Sequence, residues 1–210
     1  MKIEIWSDVV CPFCYIGKRH LELAMEQLPE LDIDITWKSF ELDPQASVES
    51  AVDIYDMLAK KYGHDRKWAK QMNANVTKTA EKAGLDYDMD SVKPTNSFDA
   101  HRLLHLAKEH GKQDELEEIL FSAYFTEGRY IGKKEVLQEL GEKAGLEAET
   151  VRKVLNSDQY TDAVKHDIIQ AKNIGVQGVP FFYINGKYGL SGAQPVETFV
   201  KVLKEVSEKG

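Results

Sequence analysis

Apolar and polar positions alternate at the two ends of the chain and recur at helical spacing through its middle. Between Lys2 and Trp6, Ile3 and Ile5 fall on one side of an extended run, which predicts a strand. From Cys14 to Leu28, Gly17, Leu21, Ala24, Met25 and Leu28 form one stripe, which predicts a helix stopped at Pro29. Asp32–Lys38 alternates again through Ile33, Ile35 and Trp37, and a strand–helix–strand unit sets its two strands parallel. Phe40–Pro44 leaves the sheet. From there to about Asn173 the period is helical, with helices predicted over Ala51–Tyr62, Asp65–Ala83, Asn96–His110, Lys112–Glu127, Lys133–Ala144, Ala148–Leu155 and Ser157–Asn173. Sheet pattern returns at Phe181–Ile184 and Lys187–Leu190, joined by Asn185-Gly186, a hairpin signal. Pro195–Ser207 closes the chain as an amphipathic helix with Val196, Phe199, Leu203 and Val206 inward.

Glu-Lys-Ala-Gly-Leu occurs at 81–85 and again at 142–146. Both copies read as helix stops, glycine left-handed and leucine packing back, rather than as a duplication. The order is therefore β-α-β, a helical block, then helix-β-β-α. It divides the chain into a discontinuous domain over residues 1–43 and 174–210, with helix 157–173 leading back into it, and an inserted helical domain over 44–156.

Composition narrows the function classes. The 42% hydrophobic and 30% charged content is that of a globular protein, and a net charge of −8 without a basic stripe argues against nucleic acid as a partner. No apolar run approaches the ~20 residues of a membrane span. The start MKIEIWSDVVC lacks a signal-peptide core and reads as a retained strand, so the expected location is the cytoplasm, with no membrane partner.

The chemistry is concentrated at Cys11-Pro12-Phe13-Cys14, which holds both cysteines of the chain between a strand and a helix. That context is the sequence form of a dithiol–disulfide centre. A thiol at the mouth of a helix faces unpaired N–H groups and the dipole, which favour a thiolate, and a second cysteine one turn on can close a disulfide. Pro12 suits a first helical position. A zinc site would want four Cys or His ligands, and the sequence offers no second cysteine pair. Two buried cysteines acting as small apolar residues are the bland alternative. His101 and His105 are spaced i, i+4 but lack the acid of a zinc-binding H-E-x-x-H, so they read as helix-surface or cap residues, with His101 a weaker candidate for the cleft. No metal site is expected. Trp6, Trp37 and Trp68 read as core, and the acidic run Asp114–Glu118 as a solvated helix face.

Gly175–Pro180 leads into the strand at Phe181. Proline is tolerated at a strand's first position. With the helical block removed, however, the order of elements is the thioredoxin topology, in which the Val179–Pro180 bond would be cis and its loop would face the cysteine pair. The backbone of Val179 could then pair with an extended substrate.

Ser7–Gly17 (SDVVCPFCYIG) resembles the N-terminal signature of the DsbA-like thioredoxin superfamily, in its FrnE-type cytoplasmic branch. Phe40–Pro44, Asn96–Arg102, Gly175–Phe182 and Leu190–Pro195 are similar to further segments of that branch. The resemblance implies an α/β thioredoxin fold with a large inserted all-helical domain, and thiol–disulfide oxidoreductase activity. It implies attack by Cys11 and resolution by Cys14. Pro12, Phe13, Val179 and Pro180 would support the site and contact a thiol- or disulfide-bearing protein or small molecule. No cofactor is expected beyond the cysteine pair, glutathione being an open co-substrate. The branch also includes glutathione-linked isomerases and transferases of the 2-hydroxychromene-2-carboxylate isomerase and kappa type, which typically have serine where this chain has Cys11. That activity is the alternative reading, and a non-catalytic binding or chaperone-like module is the second. A homodimer through the helical block is left open.

Overall fold

Side chains alternate across a pleated strand, and in β1 (Lys2–Ser7) this buries Ile3 and Ile5 on one side and Trp6 on the other. The protein is described here from a computed structural model covering residues 1–209. After β1 the chain enters α1 (Pro12–Glu26) and returns in β2 (Asp34–Ser39), parallel to β1, with Lys2 opposite Asp34 and Ser7 opposite Ser39. Seven helices follow among the described residues: α2 (Ile54–Tyr62), α3 (Arg66–Lys82), α4 (Phe98–Glu109), α5 (Gln113–Phe125), α6 (Lys134–Lys143), α7 (Ala148–Leu155) and α8 (Thr161–Asn173). Strand β3 (Phe181–Ile184) then pairs antiparallel with the free side of β1, β4 (Tyr188–Ser191) pairs with β3, and α9 (Val196–Lys209) ends the fold. The sheet order is β2-β1-β3-β4. At the hairpin tip Asn185 and Gly186 take φ of 51° and 64°, the left-handed pair that a tight two-stranded turn demands.

Three cores divide the work. On one face of the sheet, Ile3, Ile5, Phe182 and Ile184 meet Leu21, Ala24 and Leu28 of the α1 segment and Phe199 and Leu203 of α9. On the other face, Trp6 packs with Ala171 and Val176, and its indole N–H donates to the Asp167 carbonyl at 2.9 Å. The largest core fills the helical block and reaches into the start of α1 through Val9, Cys11, Cys14, Tyr15 and Ile16. The Tyr15 ring stacks on Phe121 of α5, centroids 4.9 Å apart, which adds about 1 kcal/mol beyond the area buried. The cysteine motif thus sits at the seam between sheet and helical block.

Both Glu-Lys-Ala-Gly-Leu segments are helix stops. Gly84 and Gly145 are left-handed, the Leu85 amide donates to the Ala80 carbonyl at 2.9 Å, and the Leu146 amide donates to the Gly141 carbonyl at 3.0 Å. Some expectations about these elements fail. Helix α8 starts at Thr161, not Ser157, because the carbonyls of Val154, Ser157 and Gln159 turn toward the buried Arg102 guanidinium, which satisfies its donors. Trp68 is not core: it is half-buried and stacks on exposed His64 at 4.2 Å. Among the described residues no helix is long and apolar enough to cross a membrane.

Candidate active site

Cys11 is the N-cap of α1, with extended backbone (φ −95°, ψ 114°) and no side-chain capping bond, and Pro12 opens the helix where no donor is needed. The Cys11 amide donates to the Asp8 carbonyl at 2.9 Å, and the Cys14 amide donates to the Cys11 carbonyl at 3.0 Å, closing the turn that brings the two side chains together. Both are free thiols. Cys11 keeps 4% of its surface exposed and Cys14 none. The Cys11 thiol donates to the Val179 carbonyl at 3.6 Å. Burial pushes the Cys14 thiol well up, the neighbouring Cys11 sulfur adds to this, and contacts to the Asp8 backbone and the Ser7 hydroxyl pull the other way.

The loop opposite is held from two sides. The Val179–Pro180 peptide is cis, and the Pro180 carbonyl accepts the Gly192 amide at 2.8 Å. Gly17 lets α1 approach it: a Cβ there would lie 3.0 Å from Pro180 Cγ and 3.2 Å from Phe182 Cζ. Gly17→Val is therefore expected to cost about 1–3 kcal/mol of stability through overpacking, read as a lowered denaturant midpoint. An unchanged midpoint would show that the loop yields freely. Phe13 is 45% exposed beside the pair, a large ring free to meet a partner. Tyr87, which sequence reasoning missed, donates its hydroxyl to the Pro12 carbonyl at 2.7 Å and stacks on Phe125.

His101 is neither a surface nor a cap residue. It is buried on α4, with Nε2 3.4 Å from Asp8 Oδ1, an ion contact without good hydrogen-bond geometry. Burial alone would lower its pKa, but Asp8 first, then Glu117 and Glu41, outweigh burial and raise it. Asp8, wholly buried, also accepts the Leu42 amide at 2.7 Å, so it ties the loop before Cys11 to the loop after β2. His101 thus lies behind the site and does not face an open cleft. His105 pairs with Asp167 and Ser39, each at 3.2 Å, and is not on the surface either. The acidic run is also not a solvated face throughout. Glu117 is buried and accepts the Ser7 hydroxyl at 2.8 Å, Asp114 accepts the Trp37 indole, and Glu118 accepts the Tyr15 hydroxyl at 2.6 Å.

Comparison with known proteins agrees with this geometry. The family described as DSBA-like thioredoxin domain matches residues 2–204. The uncharacterized protein YwbO of Bacillus subtilis (strain 168) is 31% identical over 212 residues, covering 99% of this chain and 98% of that protein. The crystal structure of a probable DsbA oxidoreductase from Streptomyces coelicolor superposes with a TM-score of 0.95 at 38% identity, covering 100% of this chain and 91% of that one. The cytosolic disulfide reductase DsbM from Pseudomonas aeruginosa, solved with GSH, shares the fold at a TM-score of 0.71 and 17% identity, with 99% of this chain and 100% of that chain covered.

Proposed function

The chain belongs to the DSBA-like thioredoxin domain family, and from that premise we propose that it is a thiol–disulfide oxidoreductase working through Cys11 and Cys14. The observation that carries the reading is the pairing of a cap-position thiol, 3.6 Å from the Val179 carbonyl, with a second thiol buried directly behind it. Burial keeps Cys14 protonated at neutral pH, which leaves Cys11 as the sulfur that attacks first. Cys11 thiolate attacks a substrate disulfide, forms a mixed disulfide and expels one substrate thiolate. Cys14 then attacks Cys11, the second substrate sulfur leaves as thiolate, and the pair is oxidised by the two electrons the substrate gains. The reverse sequence oxidises a substrate dithiol. Exposed Phe13 and the Val179 backbone form the surface that a substrate segment would meet, the backbone by strand-like pairing. Within the family we place the chain in the FrnE-type branch and in the cytoplasm, on the segments Ser7–Gly17 and Phe40–Pro44; glutathione is a candidate reductant of the pair.

Cys14→Ser should trap the first intermediate. Incubated with a disulfide substrate, this variant is expected to accumulate a mixed disulfide at Cys11, visible as a mass adduct that reductant removes. Absence of any adduct, with the variant folded, counts against the reading. Glutathione-dependent isomerisation of a small aromatic substrate that persists after both thiols are blocked would favour the isomerase reading instead.

A further inference from the structure

Four loops meet at the end of the sheet where the dithiol sits. Strands β1 and β2 are parallel, so residues 8–11 and 40–43 leave at the same end, and antiparallel β3 brings residues 178–180 in there. The Gly192 amide, donating to the Pro180 carbonyl at 2.8 Å, adds the loop after β4. One residue ties the loop after β2 to the dithiol. Asp8 accepts the Leu42 amide on its carboxylate at 2.7 Å and the Cys11 amide on its carbonyl at 2.9 Å. The surface that these loops present is apolar, with Phe13 45% and Leu42 37% exposed and Val10, Val179 and Ala193 half-buried. Its charge has one sign. Across residues 8–13, 40–46, 174–180 and 191–195 the charged side chains are Asp8, Glu41 and Asp43, with no lysine, arginine or histidine.

We propose that the Glu41–Asp43 loop sets the specificity of this site, favouring polypeptide disulfides flanked by apolar and cationic side chains over anionic ones. This rests on the oxidoreductase reading above. The dithiol remains the site of reaction, and the loop governs which disulfide reaches it: Leu42 and Phe13 take the apolar side chains, and Glu41 and Asp43 take the cations.

The charges of the loop are left for a partner. Among the described residues neither Glu41 nor Asp43 forms an ion pair, and the cations of β2 and α1 are engaged elsewhere: Lys38 with Asp167 at 2.8 Å, Lys18 and Arg19 with Glu118 at 3.0 and 2.8 Å. Asp43 is exposed, and its carboxylate accepts the Gln45 amide at 3.1 Å, which fixes it in a turn. Glu41 is half-buried; burial first pushes its carboxyl up, His101 of α4 pulls it down, and Asp8 and Asp43 add to the rise. The N-terminus of α1 opposes this field with about half a positive charge. A reacting Cys11 thiolate more than cancels that, so the mouth of the site is negative when it attacks. One charge pair near contact in water changes an equilibrium or rate about fivefold, and salt screens it.

Charged peptide disulfides test the loop. The reduced full-length protein is mixed with peptides of one apolar sequence whose single cysteine is joined to thiopyridine and flanked by two lysines, two glutamines or two glutamates. The Cys11 thiolate attacks the peptide sulfur, the Cys11–peptide bond forms, the peptide–thiopyridine bond breaks, and thiopyridone leaves with the electron pair and is read by absorbance. Each rate is divided by that of mercaptoethanol with the same peptide. At low salt the lysine peptide should react at least about tenfold faster than the glutamate peptide, and the ratio should approach one in concentrated salt. Glu41→Gln/Asp43→Asn should lower the low-salt ratio about fivefold, and Asp43→Asn alone, at an exposed position, about twofold. Glu205→Gln/Glu208→Gln removes as much charge near the C-terminal end of α9 and should keep the wild-type ratio. A wild-type ratio near one at low salt overturns the proposal whether or not the double variant folds, and so does a wild-type ratio in Asp43→Asn and the double variant. Absence of thiopyridone release from all three peptides would instead overturn the oxidoreductase reading.

Discussion

Cys11→Ser should lower disulfide reduction, assayed with insulin or a small aromatic disulfide, by at least about a thousandfold, to the background of the reductant alone. The expected loss is chemical rather than structural. Cys11 already has the extended backbone of an N-cap but makes no capping bond, and serine is a preferred cap residue, worth about 1 kcal/mol where it engages the first turn. The variant should therefore melt at or slightly above the wild-type temperature. Cys14 remains, but it is sealed from solvent and its thiol is pushed well up by burial, so it cannot take over the first attack. Stability retained with activity lost assigns the nucleophile. Full insulin reduction by the Cys11→Ser protein would remove Cys11 from the mechanism.

What could be read ahead of the structure was what short segments encode. The C-x-x-C turn needs only four consecutive residues and a strand–helix flank. The Asn185-Gly186 hairpin needs two residues that tolerate positive φ, and both adopt it. Gly84 and Gly145 end their helices by the same local logic. The polar cluster behind Cys14 was not legible, because Ser7, Asp8, His101 and Glu117 converge from one strand, one loop and two helices. A signal did exist on α5: Glu117 lies three residues before Leu120 and four before Phe121, both fully buried, so the apolar stripe passes through it. Charge led to the solvent-facing assignment, and helical position should have outweighed it. His101 repeats the lesson, three residues before buried Leu104. Arg102 shows the converse, a buried cation whose carbonyl partners at 154–159 displaced the start of α8.

Glu117→Gln should also invert the usual cost of changing a buried residue, and the sign depends on pH. Unfolded, the Glu117 carboxyl titrates near 4.5; folded, burial first raises it to about 7. Between those values the native state holds a proton that the unfolded chain has released. Its contribution to stability is therefore complete below 4.5 and lost as pH rises through 7, a fall of about 3 kcal/mol. His101, also raised, contributes in the same direction: its share is present below the unfolded histidine value and lost as pH rises through its folded one. Glutamine has the shape of the protonated acid and no proton to lose. At about pH 5 the variant should match the wild type, and at about pH 8 it should be more stable by about 2–3 kcal/mol, measured as urea midpoints at constant slope. If the two stability profiles ran parallel with pH, Glu117 would be charged or neutral in both native and unfolded states alike, and its burial would have no titration to report. If they diverge as expected, the wild type carries at neutral pH a buried carboxyl whose partial ionisation weakens the fold.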